Sequence, residues 1–274
     1  MLDAGRIANW CIIVGQGICR KAMVDMADVE VRELWVDRPG GRIFGRLYLP
    51  EDATGPLPAV ICSHFFSGLA EDSGQWAQLM AEHGIAAYAF DFAGGSRKAR
   101  STGVSTLENS VKTEAVDLSC ILDAIAALPE VDGCRVYLLG QSQGGFVSTM
   151  VAEERPEDVA GLFLLYPALL IHEEMWDRFG SIDNVPETFI KWQRLGRAYA
   201  VDAMEYDPYQ HMTYPGPVRI WHGDSDSLVP ALYSKRAAKR YADCTFELVP
   251  GADHAFEGED QIRIADAIAK EILG

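Results

Sequence analysis

From residue 29 to the C-terminus, short apolar runs alternate with amphipathic helical stretches, and that rhythm restricts the fold more than any other feature. Ala59–Cys62, Ile85–Phe90, Val136–Leu139 and Gly161–Leu165 are uninterrupted apolar runs, as strands covered on both faces require. Val218–Trp221 and Thr245–Val249 complete the set. Val29–Val36 and Arg42–Leu49 alternate apolar and polar residues instead. They flank the turn Arg38-Pro-Gly-Gly41, so a hairpin is expected. Gln75–His83, Asn109–Leu128 and Ile262–Leu273 carry apolar residues at helical spacing. In the second of these, Val111, Ala115, Leu118, Leu122 and Ile125 form the stripe and Pro129 follows its end. The class is therefore α/β: a mostly parallel sheet with helices on both faces.

The rhythm breaks once, between about Pro167 and Gly216. That stretch holds Trp176, Phe179, Phe189, Trp192, Tyr199, Tyr206 and Tyr209 but no strand run of the earlier kind. A structureless loop of this length is unusual, so an inserted helical cap is expected at about 167–216. The division is then an N-terminal extension, 1–28, and one domain, 29–274, that includes the cap. A chain of 274 residues at 49% apolar content has enough material for one large core. Its net charge of −16 disfavours nucleic acid and anionic membranes, which need a basic surface.

Six cysteines (11, 19, 62, 120, 134, 244) are scattered, with neither C-x-x-C nor zinc-finger spacing. Reduced thiols and a cytoplasmic location are the expectation. The uncharged stretch Ile7–Cys19 is too short to span a bilayer and has no signal-peptide cleavage pattern, so it reads as a helix packed on the domain or as an over-long start. Gly15-x-Gly17 lacks the third glycine of a dinucleotide site. Lys235, Arg236, Lys239 and Arg240 read as a solvated helix face. No Walker loop, H-E-x-x-H or EF-hand pattern occurs, so no metal and no cofactor are expected.

The chemistry concentrates in Gly140-Gln-Ser142-Gln-Gly144, which follows a strand run and precedes a helical pattern. A serine on so sharp a turn is strained, and side chains two residues either side would collide with the turn. Glycine at 140 and 144 removes them. The helix that follows aims backbone N–H groups at any developing anion.

A serine needs a base, and the base needs an acid. Of six histidines, His254 lies in the loop between the last strand and the last helix, where a base belongs on such a fold. His222 and His64 end strands and read as structural, His83 caps a helix, and His172 and His211 fall in or near the cap and read as solvent-facing. Asp226 is the favoured acid. Asp224 is the alternative, with a turn-forming role open to it, and Asp253 is a third candidate.

These segments resemble the α/β-hydrolase fold and, within it, the bacterial cinnamoyl/feruloyl-esterase-like serine hydrolases. The resemblance runs from about 29 to 273. It rests on Ser63-His-Phe-Phe-Ser-Gly68, Tyr88-Ala-Phe-Asp-Phe-Ala-Gly-Gly95, Gly140–Gly145, His222-Gly-Asp-Ser-Asp226 and Gly251-Ala-Asp-His254. It implies Ser142 as nucleophile, His254 as base and Asp226 as acid, with an oxyanion hole from the N–H groups of Gln143 and Phe66. Two departures stand out. His64-Phe65-Phe66 replaces the usual His-Gly-Phe, leaving Phe65 or Phe66 as the donor, and Gly94-Gly95-Ser96 replaces Gly-His-Gly. The resemblance also implies that a cap tyrosine and an acid hold a substrate phenol, and Tyr199 and Glu174 match those positions.

The expected activity is hydrolysis of small carboxylic esters, hydroxycinnamoyl esters among them, through an acyl-enzyme. A serine peptidase or amidase on the same scaffold, and a non-catalytic binding protein, are the alternatives. The expected partner is a small-molecule ester. The sequence leaves the oligomeric state open, a homodimer being compatible with it.

Overall fold

The computed structural model describes residues 28–274. The N-terminal extension, with its Ile7–Cys19 stretch and Gly15-x-Gly17, lies outside the described residues apart from Asp28. In chain order the elements are β1 (Val29–Arg38), β2 (Gly41–Pro50), β3 (Leu57–Ser63), α1 (Ala70–Glu82), β4 (Ala86–Phe90), α2 (Val111–Ala126), β5 (Val131–Gln141), α3 (Gln143–Glu154) and β6 (Gly161–Leu165). Then come α4 (Ile171–Phe179), a 3-10 turn (Ile182–Asn184), β7 (Thr188–Phe189), β8 (Leu195–Gly196), α5 (Arg197–Glu205) and α6 (Pro208–His211). The chain closes with β9 (Val218–Gly223), α7 (Leu232–Ala238), β10 (Cys244–Val249) and α8 (Gly258–Leu273).

The main sheet has eight strands in the order β1-β2-β4-β3-β5-β6-β9-β10. β1 and β2 form the expected antiparallel hairpin, β2 pairs antiparallel with β4, and every other pair is parallel. This is the mostly parallel α/β-hydrolase sheet, with one antiparallel edge. Two apolar layers flank it. One gathers Val111, Leu118, Ile121, Leu122, Ile125 and the apolar face of α3. The other gathers Trp76, Met80, Ile264, Ile268 and Ile272 from α1 and α8.

The 167–216 stretch enters between β6 and β9. Its content is mainly helical, with one addition the sequence did not signal: the two-residue strands β7 and β8 pair antiparallel. β8 also approaches the Leu107 backbone closely, since a Cβ on Gly196 would lie 1.9 Å from the Leu107 carbonyl oxygen. The basic cluster falls on and just after α7, exposed as expected. Arg236 there pairs with Glu173 and stacks 3.8 Å from the Tyr209 ring centroid. Among the described residues, no helix is long and apolar enough to cross a membrane, and Cys62, Cys120, Cys134 and Cys244 are free.

Candidate active site

β5 carries the chain to the carboxyl edge of the sheet, and Ser142 stands at the abrupt junction with α3, as its N-cap. Its backbone sits at φ 51°, ψ −114°, a conformation L-residues avoid. The junction holds because its neighbours have no side chains. A Cβ on Gly140 would lie 2.5 Å from the Gly144 carbonyl oxygen, and one on Gly144 would lie 2.4 Å from that of Ser63. The second contact brings the end of β3 against the turn, so Gly144 also sets where the Ser63–Gly68 loop stands.

This strain yields a direct prediction. Ser142→Gly and Ser142→Ala both lose Oγ, but only alanine keeps a Cβ at this φ. The glycine variant should be the more stable by roughly 1 kcal/mol, reversing the usual order of the two residues. Denaturant melts of both variants measure it.

His254, in the loop between β10 and α8, faces Ser142 with Nε2 2.9 Å from Oγ. Its Nδ1 lies 2.8 Å from Asp226 Oδ2. The serine hydroxyl donates to Nε2, and Nδ1–H donates to the carboxylate. Asp226 sits in the loop after β9 with a fully buried side chain. Its Oδ1 accepts the N–H groups of Leu228 at 2.9 Å and Val229 at 2.8 Å. Burial pushes this carboxyl up, but hydrogen bonds from His222 and His254 and the two backbone donors outweigh burial and hold it far below the usual carboxylate range.

The structure separates the three candidate acids. Asp224 is exposed and accepts from Gly251 N–H at 2.7 Å and Ser225 Oγ at 2.9 Å, a loop-forming role. Asp253 accepts from Ser227 N–H, and from its own neighbour His254 N–H at 2.9 Å. Only Asp226 meets the His254 ring.

The remaining histidines divide as the strand and helix ends suggested. His64 is buried, accepting from Phe92 N–H at 3.2 Å, and His83 caps α1 through Leu79. His172, read as solvent-facing, is instead half-buried with Nδ1 2.9 Å from the Ala203 carbonyl, whereas His211 is exposed and stacks on Tyr206. His222 does more than shape its loop. Its Nε2 stands 3.1 Å from Asp226 Oδ2, and Nδ1 stands 2.7 Å from Ser234 Oγ.

After β3, Phe65 C=O accepts from Gly68 N–H at 3.0 Å, closing a tight turn with Phe66 and Ser67 in its middle. Ser67 takes φ 61°, which such a turn requires at its third position. The Phe66 ring lies edge-on between Trp192 and Tyr199, at 5.8 and 6.0 Å between centroids. Phe189 continues this aromatic row against Tyr199 at 6.3 Å, and Phe179 packs on Phe189. Gln143 begins α3, where the first N–H groups have no partner within the helix.

Tyr199 is buried, and its hydroxyl donates to Gln143 Oε1 at 2.6 Å. Glu174 is half-buried on the first turn of α4, and burial pushes its carboxyl up. Both therefore stand on the cap, and Tyr199 reaches the residue after the serine. One residue was missed. Gln193 of the cap accepts from Ser67 Oγ at 3.1 Å and donates to Gly95 C=O at 2.8 Å, tying the cap to the Ser63–Gly68 loop. Ser142 itself is fully buried. Among the described residues no group of acids, histidines and cysteines could hold a metal.

This arrangement can deprotonate a serine hydroxyl and present backbone N–H groups to an oxyanion. Residues 58–215 match the family model Hydrolase_4, described as serine aminopeptidase, S33. An uncharacterised Pseudomonas aeruginosa protein is 34% identical over 133 residues, which span 47% of this chain and only 35% of that protein's length. Est1E from Butyrivibrio proteoclasticus, solved with ferulic acid bound, superposes with a TM-score of 0.79 at 24% identity, covering 88% of this chain and 98% of that one. A hypothetical protein from Pseudomonas aeruginosa superposes at 0.73 with 20% identity, covering 94% and 99%.

Proposed function

We propose, from the premise that the chain belongs to the Hydrolase_4 (serine aminopeptidase, S33) family and is a serine hydrolase of α/β fold, that it hydrolyses small carboxylic esters, hydroxycinnamoyl esters among them. In this reading Ser142 Oγ attacks the ester carbonyl while His254 Nε2 takes its proton. Asp226 holds the ring and stabilises the imidazolium. The N–H groups of Gln143 and Phe66 receive the oxyanion. The alcohol leaves with the proton from His254. Water then attacks the acyl-enzyme by the same steps, releasing the acid and restoring Ser142.

The observation that carries the ester reading is the lining beside Gln143. Phe66, Trp192, Phe189 and Tyr199 form an aromatic row, and the Tyr199 hydroxyl reaches Gln143. Aromatic rings with a hydroxyl among them are the side-chain types against which an aryl acyl group packs. Ferulic acid bound to Est1E, a protein of the same fold, is consistent with it. The family's aminopeptidase description keeps amide hydrolysis as the second reading, with Glu174 as the carboxylate that would meet a substrate ammonium. Tyr199 and Glu174 are the substrate-contacting residues in either case. The free thiols fit a cytoplasmic setting.

Initial rates on methyl ferulate, short p-nitrophenyl esters and aminoacyl p-nitroanilides separate the readings. The expected result is a kcat/KM for methyl ferulate about tenfold or more above that for any anilide. Turnover of short activated esters alone removes the aromatic specificity and keeps the esterase. Faster anilide turnover replaces it with a peptidase.

A further inference from the structure

A chain of buried polar side chains from separate elements ends beside the serine. Glu114, on the first turn of α2, accepts on Oε1 from Asn109 Nδ2 at 3.1 Å and on Oε2 from Gln143 Nε2 at 2.8 Å. Gln143 Oε1 accepts the Tyr199 hydroxyl at 2.6 Å. Asn109 Nδ2 also reaches the Ala93 carbonyl at 3.4 Å, which fixes its donor side. All four residues are buried, Glu114 at 1% exposure. The titratable and charged groups around Glu114 are Asp117 on its own helix, paired with Arg38 of β1, and Tyr199 of α5. Glu174 of α4 acts on Tyr199 in turn.

The direction of donation along such a chain is set at one end. With Glu114 ionised, both of its oxygens accept, so Gln143 must turn its NH₂ to Glu114 and its carbonyl to Tyr199. Tyr199 then commits its proton to Gln143 and offers a substrate only lone pairs. With a donor at position 114, Gln143 turns over, its NH₂ faces Tyr199, and the tyrosine proton becomes available. No side chain needs to leave its place for this reversal.

We propose that Glu114 is a positioning residue that acts through Gln143 to hold the Tyr199 hydroxyl as an acceptor, so that the site selects acyl groups bearing a phenolic O–H over their O-methyl ethers. This rests on the reading that Tyr199 lines the acyl pocket. Burial pushes the Glu114 carboxyl up to about 7, against the opposing hydrogen bonds from Gln143 and Asn109, so both states are reached near neutrality. The ionised state, present above that value, is the selective one.

The test is the ratio of kcat/KM for methyl p-coumarate to that for methyl 4-methoxycinnamate, followed from about pH 5.5 to 7.5, below phenol ionisation. The base and nucleophile are common to both substrates, so their titration cancels in the ratio. In the wild type the ratio should rise with pH by roughly three- to tenfold, the factor one hydrogen bond contributes. In Glu114→Gln, whose amide is pinned by Asn109 as acceptor and so donates to Gln143, the ratio should stay low and flat.

Tyr199→Phe should flatten it as well, and this variant keeps the test open if Glu114→Gln does not fold. A flat wild-type ratio, or a rise that survives in Glu114→Gln or Tyr199→Phe, overturns the proposal alone. Wild-type turnover of p-nitrophenyl acetate with neither cinnamate overturns the substrate reading and the proposal with it.

Discussion

Ser142→Ala should lower kcat on every ester by roughly 10⁴- to 10⁶-fold and leave the fold intact, because in the proposed mechanism the hydroxyl it removes is the one group that bonds covalently to the acyl carbon. The residual rate comes from the oxyanion donors and from binding, neither of which alanine touches. His254→Ala should cost a similar factor, since Oγ without a base 2.9 Å away keeps its proton. The two losses do not add. The double variant should be about as slow as either single one, which is the mark of groups acting as a unit. Labelling by a fluorophosphonate gives an independent readout, expected in the wild type and absent in both variants. Normal labelling of Ser142→Ala would move the nucleophile elsewhere.

How far the sequence discloses this site depends on how local each constraint is. The Ser142 turn is legible because the Gly140 constraint lies within five residues, against the Gly144 carbonyl, whereas Gly144 answers to Ser63 at the end of β3. The same holds for the β1–β2 hairpin, whose alternation and Pro-Gly-Gly turn are contiguous. β5 is read less well. The sequence suggests a strand from Val136, whereas it begins at Val131, because Asp132, Gly133 and Cys134 carry no apolar run where the strand leaves the core. β7 and β8 are illegible, since two residues hold no period.

The buried polar chain is the largest omission. Glu114 stands where an acid at a helix start ordinarily faces water and complements the dipole. Its burial follows only from the packing of α2 against α3 and the cap, with Gln143 29 residues away. Tyr199 is a further 56 residues on. The six histidines illustrate the same boundary. Loop position distinguishes His254 as base, yet nothing in His222-Gly-Asp shows that His222 turns its Nε2 toward Asp226.

Asp226→Asn should lower kcat by about 10⁴-fold, and the hydrogen bonds around it say why an amide cannot substitute. Oδ1 accepts two backbone N–H groups, from Leu228 and Val229, so the asparagine carbonyl must stay there. The NH₂ is then forced toward His254 Nδ1 and His222 Nε2, both of which donate to Asp226 in the native arrangement. His222 has little freedom to adapt, since its Nε2–H also faces the Val229 carbonyl at 2.8 Å and Nδ1 takes the Ser234 hydroxyl. His254 therefore changes tautomer, carries its proton on Nε2, and can no longer accept one from Ser142. Asp224→Asn and Asp253→Asn disturb only loop contacts and should stay within a few-fold of wild type, so the three variants together identify the acid. The folded carboxyl of Asp226 is held far below its ordinary range. Its stabilisation is therefore fully present above about pH 4, the ordinary aspartate value, and fades as pH falls toward the folded one. The stability gap between wild type and Asp226→Asn, read from urea melts, should be widest at neutral pH and narrow below about pH 4. A gap that widens on acidification would show that the charge of Asp226 does not stabilise this loop.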